Sequence, residues 1–342
     1  MKAMVLKEFN QPLSLEDVEK PCYGEKDVLV KVKAAGLCGT DVKIQQGKIP
    51  VKELPLIQGH EVSGIIAETG SQVMNFKVGD EVLVSFYIPC NVCELCKMGR
   101  KTVCENLIGR LGFELNGGFA EYVKVPESSL IRKPKELSFS EAAIVSCSMG
   151  TVYHALLKRA KIREGDCIAM IGAGGGLGLH AIQIAKSFNA KVIGVDVSQE
   201  KLKLMSEYGA DETIDATKDN WSQRIIEISG GKGADKILEF VSRIETVEED
   251  IKALRKGGKL VLVAYSDSVP LQINSLKVVL NELEILGTRA GTKEEIEKCV
   301  ELIVMGKLKP VISKTFSLEE TNHAMAILKE GKLSGRITLK VS

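Results

Sequence analysis

Two patterns of apolar and polar residues divide this chain. Up to about residue 149 the dominant period is the two of a β-strand: 28–32 reads VLVKV, 81–84 EVLV and 119–125 FAEYVKV, all punctuated by glycine and proline. Helical stretches are few there. From about residue 150, apolar runs alternate with amphipathic segments, as expected of parallel strands covered by helices on both faces. CIAMIGAG (167–174) reads as a strand and a glycine turn, LGLHAIQIAKSF (177–188) as a helix, KVIGVDV (191–197) as a strand and QEKLKLMSEYG (199–209) as a helix. KILEFV (236–241) and KLVLVAY (259–265) are further strands; a helix over 293–305 then leads to VISKTFSL (311–318) and a closing strand, RITLKV (336–341). A β-rich half followed by an α/β unit suggests a cleft between two domains, a common place for ligands.

Composition narrows the partners. In 342 residues, 46 Lys and Arg stand against 45 Asp and Glu, a net charge of +1 that gives no global attraction to nucleic acid or an anionic membrane. No apolar run approaches the roughly 18 residues of a transmembrane helix, and MKAMVLKEF lacks the apolar centre of a signal peptide. A cytoplasmic protein acting on a small molecule is expected. Nine cysteines, an odd number in a long chain, suit reduced thiols and metal ligands better than a disulfide framework.

Four of those cysteines form Cys90-x2-Cys93-x2-Cys96-x7-Cys104. Thiolates so spaced on a tight loop converge on a tetrahedral zinc with ligand distances of about 2.3 Å, and four of them leave no open position. The motif predicts a structural zinc and puts catalysis elsewhere. Cys22, Cys167 and Cys299 belong to no motif and are expected to be small buried hydrophobes.

The glycines Gly172, Gly174, Gly176 and Gly178 follow a strand and open a helix, the setting of a pyrophosphate-binding turn. Read from Gly172, the third motif glycine falls one residue late, at Gly178. Asp196 strengthens the reading, because it ends the next strand 18 residues after Gly178, where a carboxylate accepts from both ribose hydroxyls. That carboxylate would repel the extra phosphate of NADP, so NAD is expected. Lys201, one helical turn on, could bond the same ribose or simply be a solvated helix lysine.

Cys38-Gly-Thr40-Asp41, Gly59-His60-Glu61-x2-Gly64-x5-Gly70-x2-Val73 and Cys147 supply thiolate, imidazole and carboxylate from distant segments. The second of these resembles the zinc signature of the medium-chain alcohol dehydrogenase family. The resemblance covers nearly the whole chain, taking in the four-cysteine lobe, the glycine turn, Asp196 and Gly335-Arg336 in the family's order.

The resemblance implies an α/β fold: a chaperonin-10-like β-rich catalytic domain (1–149 and 287–342) plus a Rossmann doubly wound parallel-sheet domain (150–286). It implies a homotetramer or homodimer, and two zinc ions per chain. Cys38, His60 and Cys147 match the catalytic zinc ligands, a Cys2His set of the kind general accounts of zinc sites give for alcohol dehydrogenase. Glu61 matches a conditional ligand, and Asp41 a partner for the free N–H of His60. Thr40 matches a hydroxyl that relays the alcohol proton. Lys43 stands where many members carry a relay histidine. Thr151 and Val263 match nicotinamide contacts, Arg336 a pyrophosphate contact, and Phe86 an aromatic wall of the substrate pocket.

The implied activity is NAD-dependent, zinc-dependent hydride transfer between a primary or secondary alcohol and its aldehyde or ketone. A polyol or amino-alcohol dehydrogenase uses the same scaffold. An enoyl-thioester or quinone reductase shares the fold but usually lacks the zinc ligands kept here; a non-catalytic NAD-binding protein would have no need of them.

Overall fold

The computed structural model describes residues 1–265, 270 and 272–342. These form two compact units: Met1–Gly150 with Gly291–Val304 and Ile312–Ser342, and Thr151–Ala290 with Met305–Val311. The two main divisions fall at 150/151 and 290/291, and Met305–Val311 lies with the second unit. Among the described residues no helix is long and apolar enough to cross a membrane.

In the first unit the strand Asp27–Leu37 is the hub. It pairs antiparallel with Glu61–Thr69, with Tyr122–Pro126 along its first residues and with Arg336–Lys340 along its last four. Val28–Leu29–Val30 and Ala34–Ala35–Gly36–Leu37 are buried throughout, and only between them, at Lys31 and Lys33 on either side of Val32, do buried and half-buried residues alternate. This sheet has seven strands, and smaller sheets of three and two strands complete the unit. The 119–125 run becomes a strand only from Tyr122. Phe119 and Ala120 are buried, and Phe119 gives its N–H to Gln58 O at 3.0 Å and accepts Met4 N–H at 2.8 Å, bonds that take it out of the ladder. The helix Phe139–Ile144 starts on a reciprocal cap in which Glu141 N–H donates to Ser138 Oγ (3.3 Å) and Ser138 N–H to Glu141 Oε2 (2.9 Å). It runs into one turn of π-helix, Val145–Met149, which carries Cys147.

The second unit is a six-stranded parallel sheet ordered Glu212–Asp215, Lys191–Asp196, Cys167–Ile171, Ala234–Glu239, Leu254–Leu262, Glu284–Gly287. Numbered within the unit this is 3-2-1-4-5-6, the doubly wound order, which reverses between Cys167–Ile171 and Ala234–Glu239. Trp221 and Ile225 from one helix and Val247 and Ile251 from another pack on Ile237 and Leu260 of the sheet. Both helices, Trp221–Ile228 and Ile244–Ala253, join those anticipated from the apolar pattern.

Two side chains of the helix Gly178–Ser187 explain why Met305–Val311 belongs here. Gln183 donates from Nε2 to Lys309 O (3.1 Å) and accepts Lys309 N–H at Oε1 (2.8 Å). His180, fully buried, accepts Val311 N–H at Nε2 (3.0 Å) and faces Gly176 O through Nδ1 (2.7 Å). Because Nε2 accepts, Nδ1 carries the proton and donates to Gly176 O. Replacing His180 with Ala leaves the Val311 N–H buried without this acceptor, which should cost roughly 1–3 kcal/mol. A urea titration checks this, and an unchanged midpoint would show that the bond contributes nothing.

Candidate active site

Cys38, His60, Glu61 and Cys147 converge in the first unit, with one donor atom from each lying within 4.8 Å of the others. Cys38 precedes the short helix Gly39–Gln45, His60 and Glu61 lie at the start of Glu61–Thr69, and Cys147 comes from the π-helical turn. A π-turn bulges the backbone and re-aims a side chain, and such turns recur at functional sites. His60, Glu61 and Cys147 are buried and Cys38 is half-buried.

The imidazole is held in a fixed orientation. His60 Nδ1 lies 3.2 Å from Asp41 Oδ1, while Nε2 faces the cluster, 3.9 Å from Glu61 Oε1. Asp41 is fully buried and is itself fixed by the Cys38 N–H, which donates to Oδ2 at 2.8 Å. An imidazole whose Nδ1–H donates to a carboxylate presents a basic Nε2 to a metal. Glu61 finds room because its partner across the sheet is Gly36, where a Cβ would fall 2.0 Å from Glu61 Oε2.

Arg336 balances the charge. Its buried guanidinium donates through Nη2 to Glu61 Oε1 and points Nη1 at Cys38 Sγ, 4.0 Å away. The hydrogen bond with Cys147 and the positive charges of Arg336 and His60 hold the Cys38 thiol well below its ordinary range, against the effect of burial. Thiolate is the metal-binding form of cysteine. Burial pushes the Glu61 carboxyl up to about 7, although Arg336 pulls it down. Glu61 Oε2 is buried without a hydrogen-bond partner. Soft sulfur, imidazole nitrogen and an unpartnered carboxylate oxygen fit zinc.

The four-cysteine lobe sits between the paired strands Tyr87–Ile88 and Gly109–Arg110. Sulfur separations are 4.0 Å for Cys90–Cys96, 3.8 Å for Cys93–Cys104 and 3.5 Å for Cys90–Cys104. A tetrahedron with arms of about 2.3 Å has edges of about 3.8 Å, so the lobe has the dimensions of a zinc tetrathiolate. Amide donors from Val92 and Cys93 lower the Cys90 thiol, and those of Cys96 and Glu105 bring Cys93 down to about 6.

In the second unit the glycine turn follows Cys167–Ile171 as the spacing implies. Gly172 has φ +74° and gives its N–H to Val195 O (2.8 Å), and Gly178 opens the helix Gly178–Ser187. A Cβ on Gly178 would lie 2.3 Å from Ala173 O, so only glycine allows the helix to start so close to the strand. Asp196 is buried at the end of Lys191–Asp196 and also builds the turn, accepting Gly174 N–H at 2.9 Å and Val197 N–H at 2.8 Å.

The remaining expected residues take the following places. Thr40 is half-buried in Gly39–Gln45, and Lys43 lies in the same helix. Gly176 contributes the carbonyl held by His180. Lys201 lies in Gln199–Glu207 with its chain beside Gly174. Thr151 is in the helix Gly150–Tyr153, and Val263 gives its N–H to Glu239 O (3.0 Å). The Arg336 guanidinium, expected to reach a pyrophosphate, is buried against Glu61 and Cys38. The Phe86 ring is 5.0 Å from that of His60. Phe113, which the sequence reading passed over, stands 5.6 Å from the same imidazole; its only sequence signal was an apolar residue in a glycine-rich loop. Cys167 and Cys299 are buried as expected, but Cys22 is exposed, in an irregular segment between Pro21 and Tyr23.

Residues 24–135 match the model of the alcohol dehydrogenase GroES-like domain, and residues 176–305 that of the zinc-binding dehydrogenase family. The chain is 39% identical over 350 residues to an NAD-dependent alcohol dehydrogenase of Sulfolobus acidocaldarius, covering 100% of both. It is 37% identical over 350 residues to an acryloyl-coenzyme A reductase of Sulfurisphaera tokodaii, covering 99% of this chain and 100% of the other. A crystal structure of an NAD-dependent alcohol dehydrogenase matches with a TM-score of 0.95 at 33% identity, covering 100% of each chain. Full-length likeness at these identities, together with two donor sets fit for zinc, means that the chain belongs to the zinc-type alcohol dehydrogenase family of medium-chain dehydrogenases and reductases.

Proposed function

We propose that this enzyme transfers a hydride between an alcohol, or its aldehyde or ketone, and NAD. The observation that carries the reading is the buried convergence of Cys38, His60 and Cys147, with Glu61 beside them, on a donor set fit for a zinc ion. Bound there, zinc supplies Lewis acidity toward an oxygen on the reacting carbon. The chain's own residues orient and insulate that chemistry. Asp41 fixes His60 with Nε2 toward the cluster, and Arg336 offsets the Cys38 and Glu61 charges. The Phe86 and Phe113 rings give the imidazole an apolar wall that limits water. Thr40 Oγ1, two residues past Cys38, is the proposed first acceptor of the alcohol proton, which passes from there to solvent.

For the cofactor, the amides of the turn through Gly172, Gly174, Gly176 and Gly178 take the pyrophosphate at the N-terminus of the helix. Asp196 keeps oxygen lone pairs free beyond its two amide bonds and accepts from the adenosine ribose, with Lys201 alongside. Thr151 and Val263 serve the nicotinamide end. The four thiolates of Cys90, Cys93, Cys96 and Cys104 hold a zinc that stabilises the fold. Reduction of an enoyl thioester is the second reading, because acryloyl-coenzyme A reductases resemble the chain almost as closely as the alcohol dehydrogenases do.

Metal analysis and a substrate panel separate the two. Two zincs per chain and oxidation of simple alcohols with NAD are expected; turnover confined to conjugated thioesters would replace the first reading with the second. Cys38→Ser should lower kcat by at least about a hundredfold while leaving the NADH dissociation constant within about threefold. Global unfolding of that variant would mean that the cluster is chiefly structural. Cys93→Ala should lower the melting temperature and the zinc content while NADH affinity changes little. A variant with one zinc and an unaltered melting temperature would leave the lobe without a stabilising role.

A further inference from the structure

A second pair of buried acids lies in the parallel-sheet unit, which contains none of the metal ligands named above. Glu239 ends the strand Ala234–Glu239 and Asp250 lies in the helix Ile244–Ala253; both are fully buried. Glu239 Oε1 accepts the N–H groups of Val241 and Ser242 (2.8 Å for Ser242), while its backbone oxygen accepts those of Val263 and Ala264 at 3.0 and 3.2 Å. Ser242, at φ +57°, adds an Oγ bond to Ala264 O at 2.7 Å. One residue therefore ties the turns that follow two neighbouring strands. The turn after Glu239 also reaches the third strand: a Cβ on Gly172 would lie 2.5 Å from Val241 Cγ2, and Phe240 N–H donates to Ile171 O at 3.0 Å. This is where the strand order reverses, the place where open α/β sheets hold their ligands.

Glu239 Oε2 and both oxygens of Asp250 are buried with no hydrogen-bond partner as two carboxylates. A single proton removes most of that deficit. Placed on Asp250, it is donated to Glu239 Oε2, leaving Oε1 to accept the two amides. The helix that carries Asp250 packs on the strand that Glu239 ends, and two carboxylates buried side by side away from water cannot both stay charged. Burial, the Glu239 charge and a hydrogen bond with Glu239 push the Asp250 carboxyl well above the usual carboxylate range, and Glu249 adds to this. The charged groups near the pair, among the described residues, are few. On its own helix Glu249 is engaged by Lys252 and by Ser222 of Trp221–Ile228. Trp221 and Ile225 on that helix, and Leu254 and Leu260 on Leu254–Leu262, are apolar. Arg243 is exposed on the turn itself.

We propose that Asp250 and Glu239 share one proton, and that this pair positions the 240–243 turn at the cofactor end of the sheet, so that losing the proton weakens cofactor binding. The inference rests on the NAD reading above for its ligand, and on the geometry of the pair for everything else. Both are positioning residues that act through the turn. At low pH the proton is held and the turn is set; as pH rises through the titration of the pair, two like charges face each other and the turn is released.

The test uses the zinc-loaded full chain and NADH. From about pH 6 to about pH 9.5 the wild-type dissociation constant should rise about tenfold. Asp250→Asn, whose amide donates permanently to Glu239, should confine the rise to less than about threefold, and Glu239→Gln, which also removes the like charge, should flatten it similarly. Equal slopes in wild type and a folded variant would overturn the coupling. Infrared difference spectra should show, at neutral pH, a protonated, buried carboxyl that persists in Glu61→Gln as well as in the wild type, and its absence from Glu61→Gln would overturn the pair whether or not the Asp250 and Glu239 variants fold. Failure of NADH to bind at any pH would sink the cofactor reading and the coupling with it, while the infrared band would still decide the shared proton.

Discussion

The first unit is organised around one electrostatic constraint: two thiols, an imidazole and two carboxylates are packed together away from water. Unpaired charges in such a place are costly, so each needs a counter-charge or a hydrogen bond supplied by the fold. Arg336 answers for Glu61 and Cys38, and Asp41 for His60. Both depend on the hub strand Asp27–Leu37. Arg336–Lys340 pairs with its end, Cys38 follows it directly, and its Gly36 opens the space that Glu61 fills. A strand from the far end of the chain is thus required at the centre of a site whose other members come from the first 150 residues.

The parallel-sheet unit solves a different problem, that of holding the turns after its central strands in one conformation. Asp196, His180 and Glu239 do this work, each accepting from or donating to main-chain groups of turns at the C-terminal end of the sheet's central strands. Side chains of this kind are buried and polar; the hydrogen bonds they make offset the cost of burying them and hold the loops in one conformation.

Much of this was legible in the sequence because local spacing carried it. The four cysteines lie within 15 residues, and the glycine turn and the Gly-His-Glu signature are contiguous, so neither needed knowledge of the fold. The run of strands and helices was visible for the same reason. Gly36 and Phe113 were not, since their importance comes from cross-strand register and from ring contacts between distant loops. Asp250 lay between these cases. Val247, Asp250, Ile251 and Leu254 follow the 3, 4 and 7 spacing of one helical face, and an acid among those apolar positions was a signal that the period alone could have raised.

His180 and Gln183 carry an evolutionary consequence. Were the parallel-sheet unit exchanged for that of a relative, the apparent seams would be the divisions near 150 and 291. A graft cut at those two places would leave Lys309 and Val311 in the recipient and install a foreign helix opposite them, so the histidine and glutamine of the donor would meet the wrong backbone. The exchangeable unit is therefore two separated segments, Thr151–Ala290 and Met305–Val311, and a graft of the larger one alone would leave a mismatched seam.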